Sequence, residues 1–287
     1  MYIAGSWKDY EILDTGAGEK LERWGSFILR RPDPQVIWPR EIPELWPRAD
    51  AHYSRAQSGG GQWDFKKKLP ESWNISYGGL SFKVRPTGFK HTGLFPEQAV
   101  NWDWMSGLVR DSEKPVRILN LFAYTGGATC ALLKAGANVC HVDAAKGMIA
   151  WAKENCALNG LENAPVRFIL DDALKFVERE IRRGNRYDGI LMDPPSYGRG
   201  PDGQVWKLEE KLYPLVERCA LLLSDAPLFF LINAYTTGLA PSVLQNIIQK
   251  TVYPLHGGRA MAEEIGIPVS SGGIILPCGA SGRWQKI

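Results

Sequence analysis

Asp193-Pro194-Pro195-Ser196-Tyr197 directly follows the apolar run Ile190-Leu191-Met192. Such a run reads as a buried parallel strand, which places Asp193 where open α/β sheets present ligands. The two prolines stiffen the backbone just beyond it. A carboxylate and the carbonyl of Pro194 make a fixed set of acceptors, suited to an amine or ring nitrogen on a planar base. Tyr197 stands where it can stack on that base, and positioning of this kind is most of what transfer of a small activated group requires. Asp193, Pro194 and Tyr197 are the candidate catalytic residues. Taken alone, Asp-Pro-Pro is equally a proline-terminated strand, so the rest of the chain has to decide.

A second cluster lies upstream. Phe122-Ala123-Tyr124-Thr125-Gly126-Gly127 follows the strand-like run Arg117-Ile118-Leu119-Asn120-Leu121. Glycines here let a strand turn into a helix whose free amides favour a negative group such as a carboxylate. Asp143, with Ala144 after it, ends the next strand 17 positions after Gly126, about the offset at which an acidic side chain meets a ribose diol. Asp172 follows the third strand, where it can accept from an adenine amine while Ala173 leaves room for the ring; Asp171 competes for that role. Asp172 before Ala173-Leu174-Lys175 would also make a sound helix N-cap. Jointly, a glycine turn, two strand-ending acids and Asp-Pro-Pro specify an S-adenosylmethionine site in which Asp193 also borders the cofactor. A nicotinamide dehydrogenase should show Gly-x-Gly-x-x-Gly after the first strand, and that pattern occurs nowhere in the chain.

The elements that must hold these residues are legible from Val116 onward. Short apolar runs alternate with amphipathic helices around 128–134, 147–158, 208–222 and 242–250, specifying a parallel sheet covered on both faces. Two closing strands near 260–265 and 273–276 have no helix between them. The expected fold is α/β: a Rossmann-like, seven-stranded domain over residues 97–287, behind a small β-rich, substrate-facing domain over 1–96. Six of the 11 tryptophans precede Asn74. Gly59-Gly60-Gly61 and Lys66-Lys67-Lys68 read as a flexible loop. Trp63, Phe65 and Trp73 beside the lysines have the composition of a base-stacking surface, although tryptophan in a small β domain more often packs in the core. The segment Ser196 to Gly203 reads as a glycine-hinged loop over the site.

Lys and Arg outnumber Asp and Glu by 34 to 31, so any nucleic-acid surface must be local. The five cysteines have no paired spacing and read as reduced, mostly buried thiols, and the histidines have no ligand spacing, so no metal is expected. With no apolar signal core and no membrane-length apolar segment, a soluble cytoplasmic protein without a membrane partner is expected. A homodimer is left open.

From Phe82 to the C-terminus these residues resemble the class I S-adenosylmethionine-dependent methyltransferases, in particular the group of bacterial large-subunit rRNA methyltransferases that make 5-methylcytosine. Leu119 to Gly127 and Asp193 to Tyr197 carry the resemblance most specifically. His91-Thr92-Gly93-Leu94-Phe95-Pro96-Glu97-Gln98 is similar to that group's Lys-x-Gly-x-Phe-Leu-Asp-Gln segment, and the resemblance implies that Gln98 helps cover the cofactor. Two departures stand out. A tryptophan-rich segment replaces the N-terminal RNA-binding domain. The relatives' cysteine-bearing stretch after the fifth strand is here Asn233-Ala234-Tyr235-Thr236-Thr237. Carbon methylation of cytosine needs a thiolate to attack the ring, whereas nitrogen already carries a lone pair. The expectation is therefore methylation of an RNA base, rRNA above all, at nitrogen. A small-molecule or protein methyltransferase, and an RNA-binding protein with a vestigial cofactor fold, are the alternatives.

Overall fold

The computed structural model describes residues 1–55, 60–199, 205–236 and 238–286. The chain forms two compact units. One comprises Met1–Tyr2, Val100–Ile265 and Gly279–Ile287; the other comprises Ile3–Ala99 and Gly266–Cys278. Both are discontinuous, unlike the single boundary after residue 96 read from the sequence. The reason is that Gly266–Cys278 hydrogen-bonds with the N-terminal strands. Val269 bridges Ile12, the Ser270 amide donates to the Ile12 carbonyl at 2.9 Å, and the Ser271 hydroxyl donates to Asp14 at 2.6 Å.

The larger unit is built on β1 (Arg117–Leu121), β2 (Asn138–Asp143), β3 (Val166–Leu170), β4 (Gly189–Met192), β5 (Phe229–Ala234), β6 (Arg259–Pro268) and β7 (Ile275–Gln285). In the sheet they run β6-β7-β5-β4-β1-β2-β3, and an eighth strand of two residues, Tyr2–Ile3, lies beyond β6. The sequence signals no strand at Tyr2; its ring is held by Arg283 of β7, whose guanidinium lies 3.7 Å from the ring centre. β1 to β5 are parallel wherever they pair, and β7 runs antiparallel to β5. β4 and β5 are buried at every position, as befits central strands with both faces covered. The covering helices are α1 (Ala99–Arg110), α2 (Gly127–Lys134), α3 (Lys146–Leu158), α4 (Ala173–Arg182), α5 (Leu208–Ala220), α6 (Pro241–Thr251) and α7 (Tyr253–His256). α4 shows why they form: Ala173, Phe176, Val177 and Glu180 recur on one face, and all are buried.

Strand order decides where a ligand fits. From β1 the chain steps outward through β2 and β3, then returns to β4 on the other side of β1 and proceeds to β5. The crevice of an open α/β sheet opens at such a reversal, beyond the carboxyl ends of the two diverging strands. Those ends are Leu121 and Met192, which pair in register.

The smaller unit carries a five-stranded sheet (Tyr10–Gly16, Glu19–Trp24, Phe27–Pro32, Ala51–Arg55, Gly61–Phe65) and the hairpin Trp73–Tyr77 with Leu80–Val84. Gly61–Phe65, read from the sequence as loop, is an edge strand paired antiparallel with Ala51–Arg55; Gly59 lies outside the described residues. Trp63 donates its indole N–H to the Thr87 carbonyl at 2.9 Å and Trp73 to the Trp24 carbonyl at 3.0 Å. Lys67 pairs with Asp50 at 2.6 Å. At the centre the fully buried Glu22 accepts two bonds from Arg31, at 2.6 and 2.7 Å, and one from the Tyr10 hydroxyl at 2.6 Å. Burial pushes the Glu22 carboxyl up, but Arg31 and Lys20 outweigh burial and hold it down at about 2.

A carboxyl depressed from 4.5 to about 2 stabilises the fold fully above pH 4.5, and this contribution is lost as pH falls towards 2. Glu22→Gln leaves Arg31 buried and unpaired, so it should lower stability at pH 7 by about 3 to 5 kcal/mol. In urea titrations from pH 7 to pH 2, the gap between wild type and variant should shrink below pH 4.5. A gap that stays constant would mean that Glu22 is not ionised in the folded protein.

Candidate active site

The turn after β1 has an unusual backbone. Phe122 (φ 54°), Tyr124 (φ 52°) and Gly126 (φ 83°) are left-handed, and the residues between them are not. Left-handed backbone disfavours any residue with a Cβ by about 1–2 kcal/mol, so two non-glycine cases in three residues mark stored strain. Most of the turn's amides are spent inside the fold: Ala123 donates to the Val142 carbonyl at 3.1 Å, Tyr124 to Asp143 at 2.9 Å and Gly126 to the Ala123 carbonyl at 3.1 Å. The turn runs into α2, whose N-terminus has no side-chain cap. A side chain at Gly126 would be strained on two grounds: its φ is positive, and an added Cβ would lie 3.0 Å from the Ala152 Cβ on α3.

Asp143, the last residue of β2, closes the turn from the side. Its two oxygens accept from the amides of Tyr124 (2.9 Å) and Ala145 (2.8 Å). Burial raises its carboxyl above the ordinary value, against the pull of those two amides. Ala144 is exposed beside it, whereas Phe122 is partly buried and Ala123, Thr125 and Gly127 are buried within the turn. Asp172 takes the capping alternative: its Oδ1 accepts from the Lys175 amide at 2.9 Å and starts α4. Asp171 accepts from the Asp172 amide at 2.8 Å and forms an ion pair with Arg179. Ala173 is buried under the end of β3. Gln98 belongs to the smaller unit, buried in the short helix Pro96–Gln98.

Asp193 leaves β4 directly beside the turn after β1, its amide 3.4 Å from the Leu121 carbonyl. The segment after it is a β-hairpin in its described part: Tyr197–Arg199 pairs antiparallel with Val205–Lys207, where a hinged loop is read from the sequence, and Gly200 to Gly203 lie outside the described residues. Pro194 is buried and Tyr197 is 55% exposed, open to a planar partner. Trp206 ties the two turns together. Its indole N–H donates to the Pro195 carbonyl at 2.6 Å while its ring packs on Phe122, centroids 5.0 Å apart. The Tyr235 hydroxyl donates to Asp193 Oδ2 at 3.3 Å, and Thr236 donates to Ser196 at 2.7 Å.

Three supporting residues carry no sequence signal of this role. Asn155 of α3, fully buried, donates to the Thr125 carbonyl at 2.8 Å and holds the strained turn from below. Trp206 and Tyr235 reach the motif from 13 and 42 positions further along the chain, contacts that only folding creates. Among the cysteines, Cys130, Cys140, Cys156 and Cys219 are core residues; burial pushes the Cys140 thiol up to about 11 and Cys219 well up. Cys278 lies in the smaller unit, and burial raises its thiol well above the usual value.

Comparison with known proteins follows the same lines. The family of S-adenosylmethionine-dependent methyltransferases matches residues 51–253. The chain belongs to this family. It is 39% identical to the SAM-dependent methyltransferase from Agrobacterium tumefaciens, whose crystal structure superposes with a TM-score of 0.94 over 99% of this chain and 93% of that one. A methyltransferase complexed with SAH shares the fold, with a TM-score of 0.77 at 18% identity over 98% and 76% of the two chains. Among curated relatives, the ribosomal RNA large subunit methyltransferase K/L of Pseudoalteromonas atlantica is 36% identical over 212 residues, 66% of this chain and 29% of its own length. The Shewanella frigidimarina protein of the same name is 40% identical over 120 residues, 42% of this chain. The chain spans less than a third of these two relatives, covering 29% and 16% of them. The protein is a Rossmann-like member of the S-adenosylmethionine-dependent methyltransferase family.

The residues present fit that cofactor: an uncapped helix N-terminus suits a carboxylate, and a strand-ending acid suits vicinal hydroxyls. Asp143→Ala should weaken binding of S-adenosylmethionine about 10- to 100-fold, the loss of a charged acceptor. Calorimetry on the folded variant checks this; unchanged affinity would remove Asp143 from the site.

Proposed function

We propose that the chain methylates a base of RNA, rRNA in the first instance, at a ring or exocyclic nitrogen. The observation that carries the reading is the side-by-side emergence of Asp193 and the cofactor turn from the paired strand ends Met192 and Leu121. On this reading, the uncapped N-terminus of α2, from Gly127, would hold the methionyl carboxylate. Asp143 and Ala144 would hold the ribose, Ala173 and Asp172 would border the adenine, and Phe122, Ala123 and Tyr124 would line the pocket. S-adenosylmethionine supplies a methyl group activated on a sulfonium.

The chain's own part is orientation. Asp193 and the Pro194 carbonyl accept from the N–H groups of the base and fix its lone pair in line with the methyl donor. Asp193 also offsets the positive charge that develops on the acceptor nitrogen. Tyr197, exposed at the start of the hairpin, stacks on the base. Nitrogen is favoured over carbon because residues 193–207 and 233–240, which follow β4 and β5, contain no cysteine. The names of the K/L relatives support RNA as the substrate.

The test is transfer of labelled methyl to RNA, protein and metabolite fractions from a strain lacking the gene, followed by nucleoside analysis of the labelled fraction. RNA should carry the label on an N-methylated nucleoside; label confined to protein or metabolites would refute the reading. Asp193→Ala should bind cofactor normally and transfer at least about 100-fold more slowly in single turnover. RNA containing 5-fluorocytosine should form no covalent adduct, and an adduct lost in Cys278→Ser would restore carbon methylation.

A further inference from the structure

We infer that Tyr235 is a positioning residue for Asp193, setting the carboxylate's orientation through its hydroxyl, on a strand end that neighbouring elements hold in place. The inference rests on the role proposed above for Asp193. β4 and β5 are parallel neighbours with Met192 opposite Ile232, so the turns that follow them, carrying Asp193 and Tyr235, start side by side. The Tyr235 hydroxyl donates to Asp193 Oδ2 at 3.3 Å.

The end of β5 is unusually well anchored for a strand that meets a loop. Asn233 Oδ1 accepts from the Asn101 amide at 3.1 Å and from the Ser281 hydroxyl at 2.7 Å, and Asn101 in turn accepts from Arg283 at 2.6 and 2.9 Å. Asn101, Asn233 and Ser281 are all buried. One residue further, Gly279 of β7 (φ 132°) lies so close that an added Cβ would stand 2.6 Å from the Ala234 carbonyl and 3.2 Å from Tyr235 Cδ1. On the far side, Thr236 donates to Ser196, a second link between the two turns at 2.7 Å. A charged acceptor held by a donor on so rigid a support has its remaining oxygen aimed without further ordering, which is how a positioning group raises turnover without adding affinity.

The experiment compares Tyr235→Phe, Asp193→Ala and the double variant in single-turnover methyl transfer to total RNA from a strain lacking the gene, with cofactor affinity measured by calorimetry. Tyr235→Phe keeps the ring and should fold. Its turnover should fall about tenfold with KM for RNA and affinity for S-adenosylmethionine unchanged, and the double variant should be no slower than Asp193→Ala alone. A wild-type turnover for Tyr235→Phe beside an impaired Asp193→Ala would overturn the inference alone. So would an equal loss on adding Tyr235→Phe to Asp193→Ala, which would mean that the hydroxyl acts elsewhere. Wild-type transfer by Asp193→Ala would overturn the underlying reading and the inference with it.

Discussion

The pairing of Leu121 with Met192 is the constraint on which the site depends. β1 and β4 are far apart in sequence, yet they lie next to one another at the centre of the sheet because β2 and β3 spread to one side and β5 to the other. Two parallel strands in register must release their following residues at the same level. The strained turn from Phe122 and the stiff turn from Asp193 therefore start as neighbours, and Trp206 locks them by bonding to one turn and packing on the other. Nothing in either segment alone would bring the Asp193 carboxylate beside the strained turn.

Strain in the turn is affordable only because the surroundings determine it many times over. Left-handed backbone at Phe122 and Tyr124 is disfavoured, and neither residue is glycine. Against this stand the Asn155 amide on the Thr125 carbonyl, Asp143 on the Tyr124 amide, and the close approach of α3 at Gly126. These contacts come from β2 and α3, elements that pack around the turn as the parallel sheet forms. A turn stabilised from outside holds its amides in place before any ligand arrives, which lowers the ordering that binding requires.

The smaller unit works by a different principle. Its tryptophans are structural: Trp63 and Trp73 donate to backbone carbonyls, and Arg31 and Arg40 lie over Trp24 and Trp46 at 5.2 and 4.0 Å. A buried Glu22–Arg31 pair with Tyr10 replaces part of an apolar core. Removing either partner would leave an uncompensated buried charge. Around Trp63 the hydrogen bonds fix the two indoles, while Phe65 and Lys66 to Lys68 remain exposed.

Periodicity and local chemistry were enough to place β1 to β5, the helices between them, the glycine turn, Asp143 and Asp193, because each rests on residues adjacent in sequence. The same local rules left Asp172 open between capping and binding, and only the hydrogen bond to Lys175 shows the cap. They read Gly61–Phe65 as loop and Ser196 onward as a hinge, where pairing with distant strands or with Val205–Lys207 makes β-structure. They also drew one boundary after residue 96, because nothing in Gly266–Cys278 signals that it will hydrogen-bond with strands near Ile12 and Asp14. Asn155, Trp206 and Tyr235 belong to the same class. Their types are ordinary and their spacing is uninformative; what makes them part of the site is the side at which each strand and helix arrives, and that is decided by sheet order, a property of the whole chain rather than of any segment.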